Sequence, residues 1–192
     1  MAIKERSHAA VNGRAWWVGA VGLFIATFGC NSSKPDSEPQ GKASGKADAD
    51  SIKAAAKEAL KANDLLKASK WDEAIPHLDT ALKLDPNDAD AWWMRGLAYL
   101  KKKDYDKAIA DFTQTLRLDP KRAPPYRDRG DAYYHKKDYD KAIADLTEYL
   151  KIRPGDDEAY EARARAYLRK GDKEASRADL AKAREIKKKN KK

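Results

Sequence analysis

Leu84-Asp85-Pro86, Leu118-Asp119-Pro120 and Ile152-Arg153-Pro154 are one phrase written three times, its prolines 34 residues apart. A fixed period of this size marks an array of stacked supersecondary units. Laid out in lines of 34 from Ala55, the chain gives four repeats, 55–88, 89–122, 123–156 and 157–190. Position eight holds Ala62, Gly96, Gly130 and Ala164, and position twenty holds Ala74, Ala108, Ala142 and Ser176. Large residues recur between them: Leu65, Tyr99, Tyr133 and Tyr167 at position eleven, Leu78, Phe112, Leu146 and Leu180 at position twenty-four. Small and large residues at helical spacing predict two helices per line that approach closely where the side chains are small.

The breaks fall where two helices need them. Asp104 and Asp138 precede Tyr-Asp-Lys-Ala-Ile and are placed to cap the second helix of their repeats. The closing prolines stop that helix and force a turn. Pro76 is expected near the start of its helix, where N–H groups lack partners anyway.

The pattern resembles the tetratricopeptide repeat family, most closely in Ala91-Trp92-Trp93-Met94-Arg95-Gly96-Leu97-Ala98-Tyr99 followed by Tyr105-Asp106-Lys107-Ala108-Ile109. Tyr126 to Tyr133 followed by Tyr139 to Ile143 is nearly as close. The resemblance implies an all-α, right-handed superhelical solenoid of four helix-turn-helix repeats, set here at 51–186. The outer repeats depart from the pattern with polar residues: Glu58 for an aromatic, Lys173 for tyrosine, Arg184 for leucine and Lys188 for proline. Polar ends are what a stack needs where no neighbour covers it.

Residues 1–29 read as a signal peptide: Lys4, Arg6 and Arg14, then an uncharged run from Ala15 to Gly29. That run is shorter than the roughly 20 residues a membrane-spanning helix needs. The sole cysteine, Cys30, closes it, in an arrangement similar to a bacterial lipoprotein signal, although Thr27 and Phe28 stand where that family prefers leucine and a small residue. The resemblance implies lipidation of Cys30, with the chain anchored in a bacterial cell envelope and facing the periplasm or exterior; ordinary cleavage or an uncleaved anchor, and an accidental buried cysteine, are the other readings. Residues 31–50 hold no large apolar side chain and read as a flexible linker spanning about 25 Å.

The net charge of +9 raises a polyanion as partner. Lys182–Lys192 carries +6 of it and the segment to Gly29 carries +2, which leaves the remainder almost neutral. Residues 187–192 read as a basic tail, either solvated beside a helix end or in contact with anionic head groups. No aromatic residue interleaves the lysines, so nucleic acid is not the expected partner.

His8, His77 and His135 are dispersed, and no phosphate loop or nucleophile–base set can be assembled from spacing. Neither an enzyme activity, a metal nor a cofactor is expected. What the resemblance implies instead is a concave groove lined by first helices. Its positions map onto Asn63, Leu66, Trp93, Leu97, Leu100, Arg127, Asp131, Tyr134, Arg165 and Leu168, with His135, Glu161 and Arg169 beside them. Trp93 has two readings, an exposed anchor in the groove or a ring folded onto the preceding repeat. The subclass that clamps chaperone carboxylates uses positions held here by Ala59, Asn63, Met94, Pro124 and Asp128, of which only Asn63 matches. The expected function is therefore a membrane-tethered adaptor that binds a peptide or helix of a protein partner. The alternatives are a self-associating structural module, or a polyanion or membrane-surface binder working through the basic end.

Overall fold

The computed structural model describes residues 45–190. The expected signal at 1–29, Cys30 and the linker as far as residue 44 lie outside the described residues. Eight helices and no strand occur among them: α1 Gly45–Lys67, α2 Trp71–Leu84, α3 Ala89–Lys101, α4 Tyr105–Leu118, α5 Ala123–His135, α6 Tyr139–Ile152, α7 Asp157–Lys170 and α8 Lys173–Asn190. Each odd helix packs on the even helix after it, and each even helix packs on the next odd one. Odd helices also touch across repeats (α1 with α3, α3 with α5, α5 with α7), whereas even helices do not touch one another. The stack therefore curves, with the odd helices on its inner side.

The 34-residue period is visible in the packing. Position eight is buried in all four repeats, by Ala62, Gly96, Gly130 and Ala164, and in repeats two and three it lies against Phe112 and Leu146 at position twenty-four. Ala91, Pro125 and Ala159 at position three are buried as well. Burying such small groups lets helix axes close up, and the interior is completed by Leu78 and Phe112, both wholly enclosed.

The turn inside each repeat is a tight one. Ser69, Lys103, Lys137 and Gly171 all adopt positive φ at the same repeat position. In repeat two the Lys103 N–H donates to the Leu100 carbonyl and the Asp104 N–H to the Tyr99 carbonyl, the paired bonds that close a helix on a left-handed residue. Asp104 then caps α4 by accepting from the Lys107 N–H, and Asp138 caps α6 in the same way through Lys141, as their positions predict. Asp88 and Asp156 cap α3 and α7.

Three boundaries differ from the sequence expectation. α1 starts at Gly45, inside the stretch read as linker, because residues 45–67 are rich in alanine and lysine and contain no proline. Pro76 is not at the helix start: α2 begins at Trp71, so the proline is its sixth residue and leaves the Asp72 carbonyl without its usual donor. At the other end α8 runs to Asn190, so residues 187–190 are helix and not tail. Lys188 occupies the position where three earlier repeats have proline, and nothing there stops the helix.

Candidate functional site

A ladder of arginines ties the odd helices to the even ones. Arg95 Nε and Nη2 each donate to Asp111 at 2.8 Å, and Nη1 reaches Asp79 of the preceding repeat at 2.6 Å. Arg129 grips Asp145 with the same fork and donates to Thr113 of the preceding repeat at 3.0 Å. Arg163 does so with Asp179 and Thr147. Each arginine thus ties the two helices of its own repeat and the second helix of the repeat before. Burial pushes the Asp111 carboxyl up, while Arg95 pulls it back. The fork geometry, two parallel bonds to one carboxylate, is that of an ion pair. In repeat one the pattern lapses, and His77 meets Glu58 at 2.6 Å instead.

A second ladder joins the turns. Lys102, Lys136 and Lys170 pair with Asp72, Asp106 and Asp140 of the preceding repeats. Sequence reasoning missed both ladders. The signal was present, since Arg95, Arg129 and Arg163 lie 34 apart, as do Asp111, Asp145 and Asp179.

The two adjacent tryptophans part company. Trp92 packs against the core of repeat one and donates to the Pro86 carbonyl at 2.8 Å. Trp93 is half-buried and leans the other way: its Nε1 donates to Asp128 on α5 at 2.7 Å, and the Arg122 guanidinium lies over its ring at 4.7 Å. It belongs to the junction with the following repeat, a placement neither of its two sequence readings contained. Burial raises the Asp128 carboxyl, and the Trp93 N–H works against that rise.

Beyond this junction lies a cleft of about 750 Å³ between α3, α5 and α7. Leu97, Leu100, Arg127, Asp131, Tyr134 and Arg165 line it, six of the residues mapped to the groove, and His135 and Glu161 join them. Asn63, Leu66, Trp93 and Leu168 do not line it. Leu66 packs against the first core cluster, Asn63 is half-buried on α1, and Leu168 is exposed on α7. Lys187, on the stretch read as tail, lines the cleft too and pairs with Glu161 at 2.6 Å and Asp157 at 3.3 Å.

Most charges of the cleft are already matched. Burial opposes the Arg127 guanidinium, but Tyr149, Asp156 and Glu158 hold it firmly charged. Asp156 resists burial and is kept below the usual carboxylate range by the Tyr149 hydroxyl, which donates to it at 2.5 Å, by the Ala159 N–H and by Arg127. Lys101 and Arg165 enter no salt bridge. The cleft therefore offers Leu97, Leu100 and Tyr134 beside two cations outside any salt bridge, of which Lys101 acts on the Asp128 carboxylate through its charge alone. Among the described residues no group of His, Cys, Asp or Glu is arranged to hold a metal ion, and no helix is long and apolar enough to cross a membrane.

Three family models match, each described as a tetratricopeptide repeat, over residues 59–123, 98–167 and 157–190. Solved structures of MamA share the architecture. One is 25% identical, covers 75% of this chain and 77% of its own, and superposes with a TM-score of 0.69. Another is 24% identical, with 76% and 87% covered and a TM-score of 0.69. MamA from Desulfovibrio magneticus RS-1 is 21% identical, with 70% and 76% covered and a TM-score of 0.68. No curated protein matches the chain.

Proposed function

Because the chain is built of tetratricopeptide repeats from residue 59 to 190 and is thereby a scaffold for protein–protein contact, we propose that it is an envelope adaptor, tethered by lipid on Cys30, that docks a partner peptide in the cleft of α3, α5 and α7. The cleft carries this reading. Leu97, Leu100 and Tyr134 suit one or two large side chains of an extended or helical segment, and Lys101 and Arg165 suit carboxylates flanking them. The helices α3, α5 and α7 are tied to their neighbours by the Arg ladder, so the partner meets helices already fixed in place, which lowers the entropic cost of binding. The adaptor catalyses no reaction. Tethering at an envelope membrane rests on the sequence from Lys4 to Cys30.

Self-association by end-to-end stacking is the weaker alternative. Leucines at position twenty-eight (Leu82, Leu116, Leu150) are buried in three repeats, and the terminal repeat has Arg184 there. Position three is buried in the later repeats, and the first repeat has Lys57 there. Stacking one array on another would bury both cations without a counter-charge, at a cost of several kcal/mol.

The test compares capture from envelope extract by the unmodified chain and by a Leu97→Glu/Tyr134→Ala variant of equal helicity. A protein retained only by the unmodified chain is the expected result, and equal retention by both would remove the cleft from the account. For the tether, Cys30→Ser is expected to move the chain from the membrane fraction to the soluble one. Unchanged fractionation would mean that lipid on Cys30 is not the anchor.

A further inference from the structure

The last helix carries a surface that the groove does not explain. In the three earlier repeats, position seventeen is Trp71, Tyr105 and Tyr139, position twenty-one is Ile75, Ile109 and Ile143, and position twenty-eight is Leu82, Leu116 and Leu150. Position thirty-two is Pro86, Pro120 and Pro154. In α8 these four places are Lys173, Arg177, Arg184 and Lys188. At 100° per residue the four fall within an arc of about 60° and extend over about 22 Å of helix. All are exposed, and none enters a salt bridge. Lysines elsewhere on α8 behave differently: Lys182 and Lys189 pair with Glu185, and Lys187 with Asp157 and Glu161.

Solubility of an uncovered end asks only for polar residues, and any mixture of acids, amides and bases would serve. Here every replacement is a cation. Glu174 and Glu185 lie on the flank of the stripe, and Glu185 is already held between two lysines. Among the described residues α8 packs on α7 alone, so no other described helix covers the face. At its middle Leu180 is 38% exposed, whereas Leu78, Phe112 and Leu146 at the same position are 0–3% exposed.

We infer that this face of α8 docks on an anionic lipid surface. Four cations aimed to one side along a straight helix match a plane of negative head groups, and Leu180 is placed to enter the interface between them. A protein helix is a poorer occupant, because Arg184 has replaced the leucine of the apolar seam that such packing needs. Nucleic acid would use the cations and gain nothing from Leu180. The site is the face of the folded helix rather than a basic tail, and it is independent of the cleft. Contact through α8, at the opposite end of the array from α1, would hold the array by its α8 end.

The experiment is vesicle co-sedimentation of the full chain carrying Cys30→Ser, with phosphatidylcholine vesicles and with vesicles containing phosphatidylglycerol, at low ionic strength. Arg177→Gln/Arg184→Gln/Lys188→Gln is compared with Lys83→Gln/Lys121→Gln/Arg153→Gln, which removes the same charge from exposed places elsewhere. Each basic residue near an anionic membrane is worth roughly a five-fold change in affinity, so the α8 variant is expected to lose about 100-fold and the control only a few-fold. Circular dichroism confirms that both remain folded. Equal losses in the two variants, or equal binding to both kinds of vesicle, would overturn the inference. So would tighter binding to duplex DNA than to the anionic vesicles at the same salt, lost in the α8 variant, which would give the face to a nucleic acid.

Discussion

Gly96 and Gly130 occupy the same repeat position and face different neighbours. A Cβ on Gly96 would lie 2.6 Å from Cε1 of Phe112, a ring with no exposed surface and nowhere to move. A Cβ on Gly130 would meet Leu146 Cγ at 3.2 Å, and repeat one already has an alanine, Ala62, at this position, in one core cluster with Leu78. Gly96→Ala should therefore destabilise by about 1–3 kcal/mol through overpacking. Gly130→Ala should be close to neutral, since relief of glycine's helix penalty, about 1 kcal/mol, offsets a small shift of Leu146. Thermal melts of the two variants check this, and Gly96→Ala/Phe112→Leu should recover most of the loss; equal melting of the two single variants would break the argument. At this scale the sequence was legible for apolar positions, because small and large residues alternate in register. It was not legible for Arg95, Arg129 and Arg163, since a charged residue on a helix is read as solvated until its carboxylate partner, sixteen residues on, is seen to be buried beside it. Trp93 is a similar case: only the position of Asp128 on the next repeat shows which way its ring turns.

The first helix of each repeat is closed by a left-handed residue, and three of the four are not glycine. Lys103 and Lys137 hold φ of 63° and 64°, where Gly171 does the same work in repeat four. A side chain in that region costs about 1–2 kcal/mol, and glycine's greater freedom in the unfolded chain returns part of it. Lys137→Gly should accordingly raise Tm, by a net stabilisation of roughly 0.5–1 kcal/mol; a lowered Tm would show that the turn depends on the lysine itself. The end of α8 is tuned by charge. Glu185 is held down to about 2 from an ordinary value of 4.5 by Lys189 and then Lys182. A carboxylate with a lowered folded value supports the helix above its unfolded value and loses that support as the pH falls through the folded one. The last turns of α8 should thus fray between about pH 4.5 and 2, most at low salt where the pairs are least screened. Amide exchange in residues 186–190 reads this directly, and Glu185→Gln should abolish the acid dependence. Element boundaries were readable where a proline or an aspartate cap marked them, as at Asp104 and Asp138. They were missed at Gly45 and Lys187, where alanine- and lysine-rich sequence continues a helix with no local mark, and at Pro76, whose helix starts five residues earlier at Trp71.

As a whole molecule, an array in which each repeat touches only its neighbours has a stability close to a sum of repeat and junction contributions. The arginine ladder is the part of that sum that spans a junction, and Arg129 is its middle rung, joining Asp145 in its own repeat to Thr113 in the one before. Removing Arg129 alone leaves the buried Asp145 carboxylate without its counter-charge, which costs about 3–5 kcal/mol. Arg129→Met should therefore weaken repeat three most and loosen its hold on repeat two. With Trp16, Trp17 and Trp93 replaced by phenylalanine, tryptophan fluorescence reports from Trp71 and Trp92 in the first two repeats, whereas helical circular dichroism reports from all four. In that background, with Arg129 present, the two signals should change together in urea. In Arg129→Met the dichroism should begin to fall at lower urea than the fluorescence, because the distal repeats melt first. Arg129→Met/Asp145→Leu removes both charges and should bring the two curves back together, since an apolar pair of similar bulk often replaces a buried ion pair without loss. Coincident curves in the single variant would mean that α5 and α6 are held by their apolar contacts alone, and that the ladder does not couple the repeats.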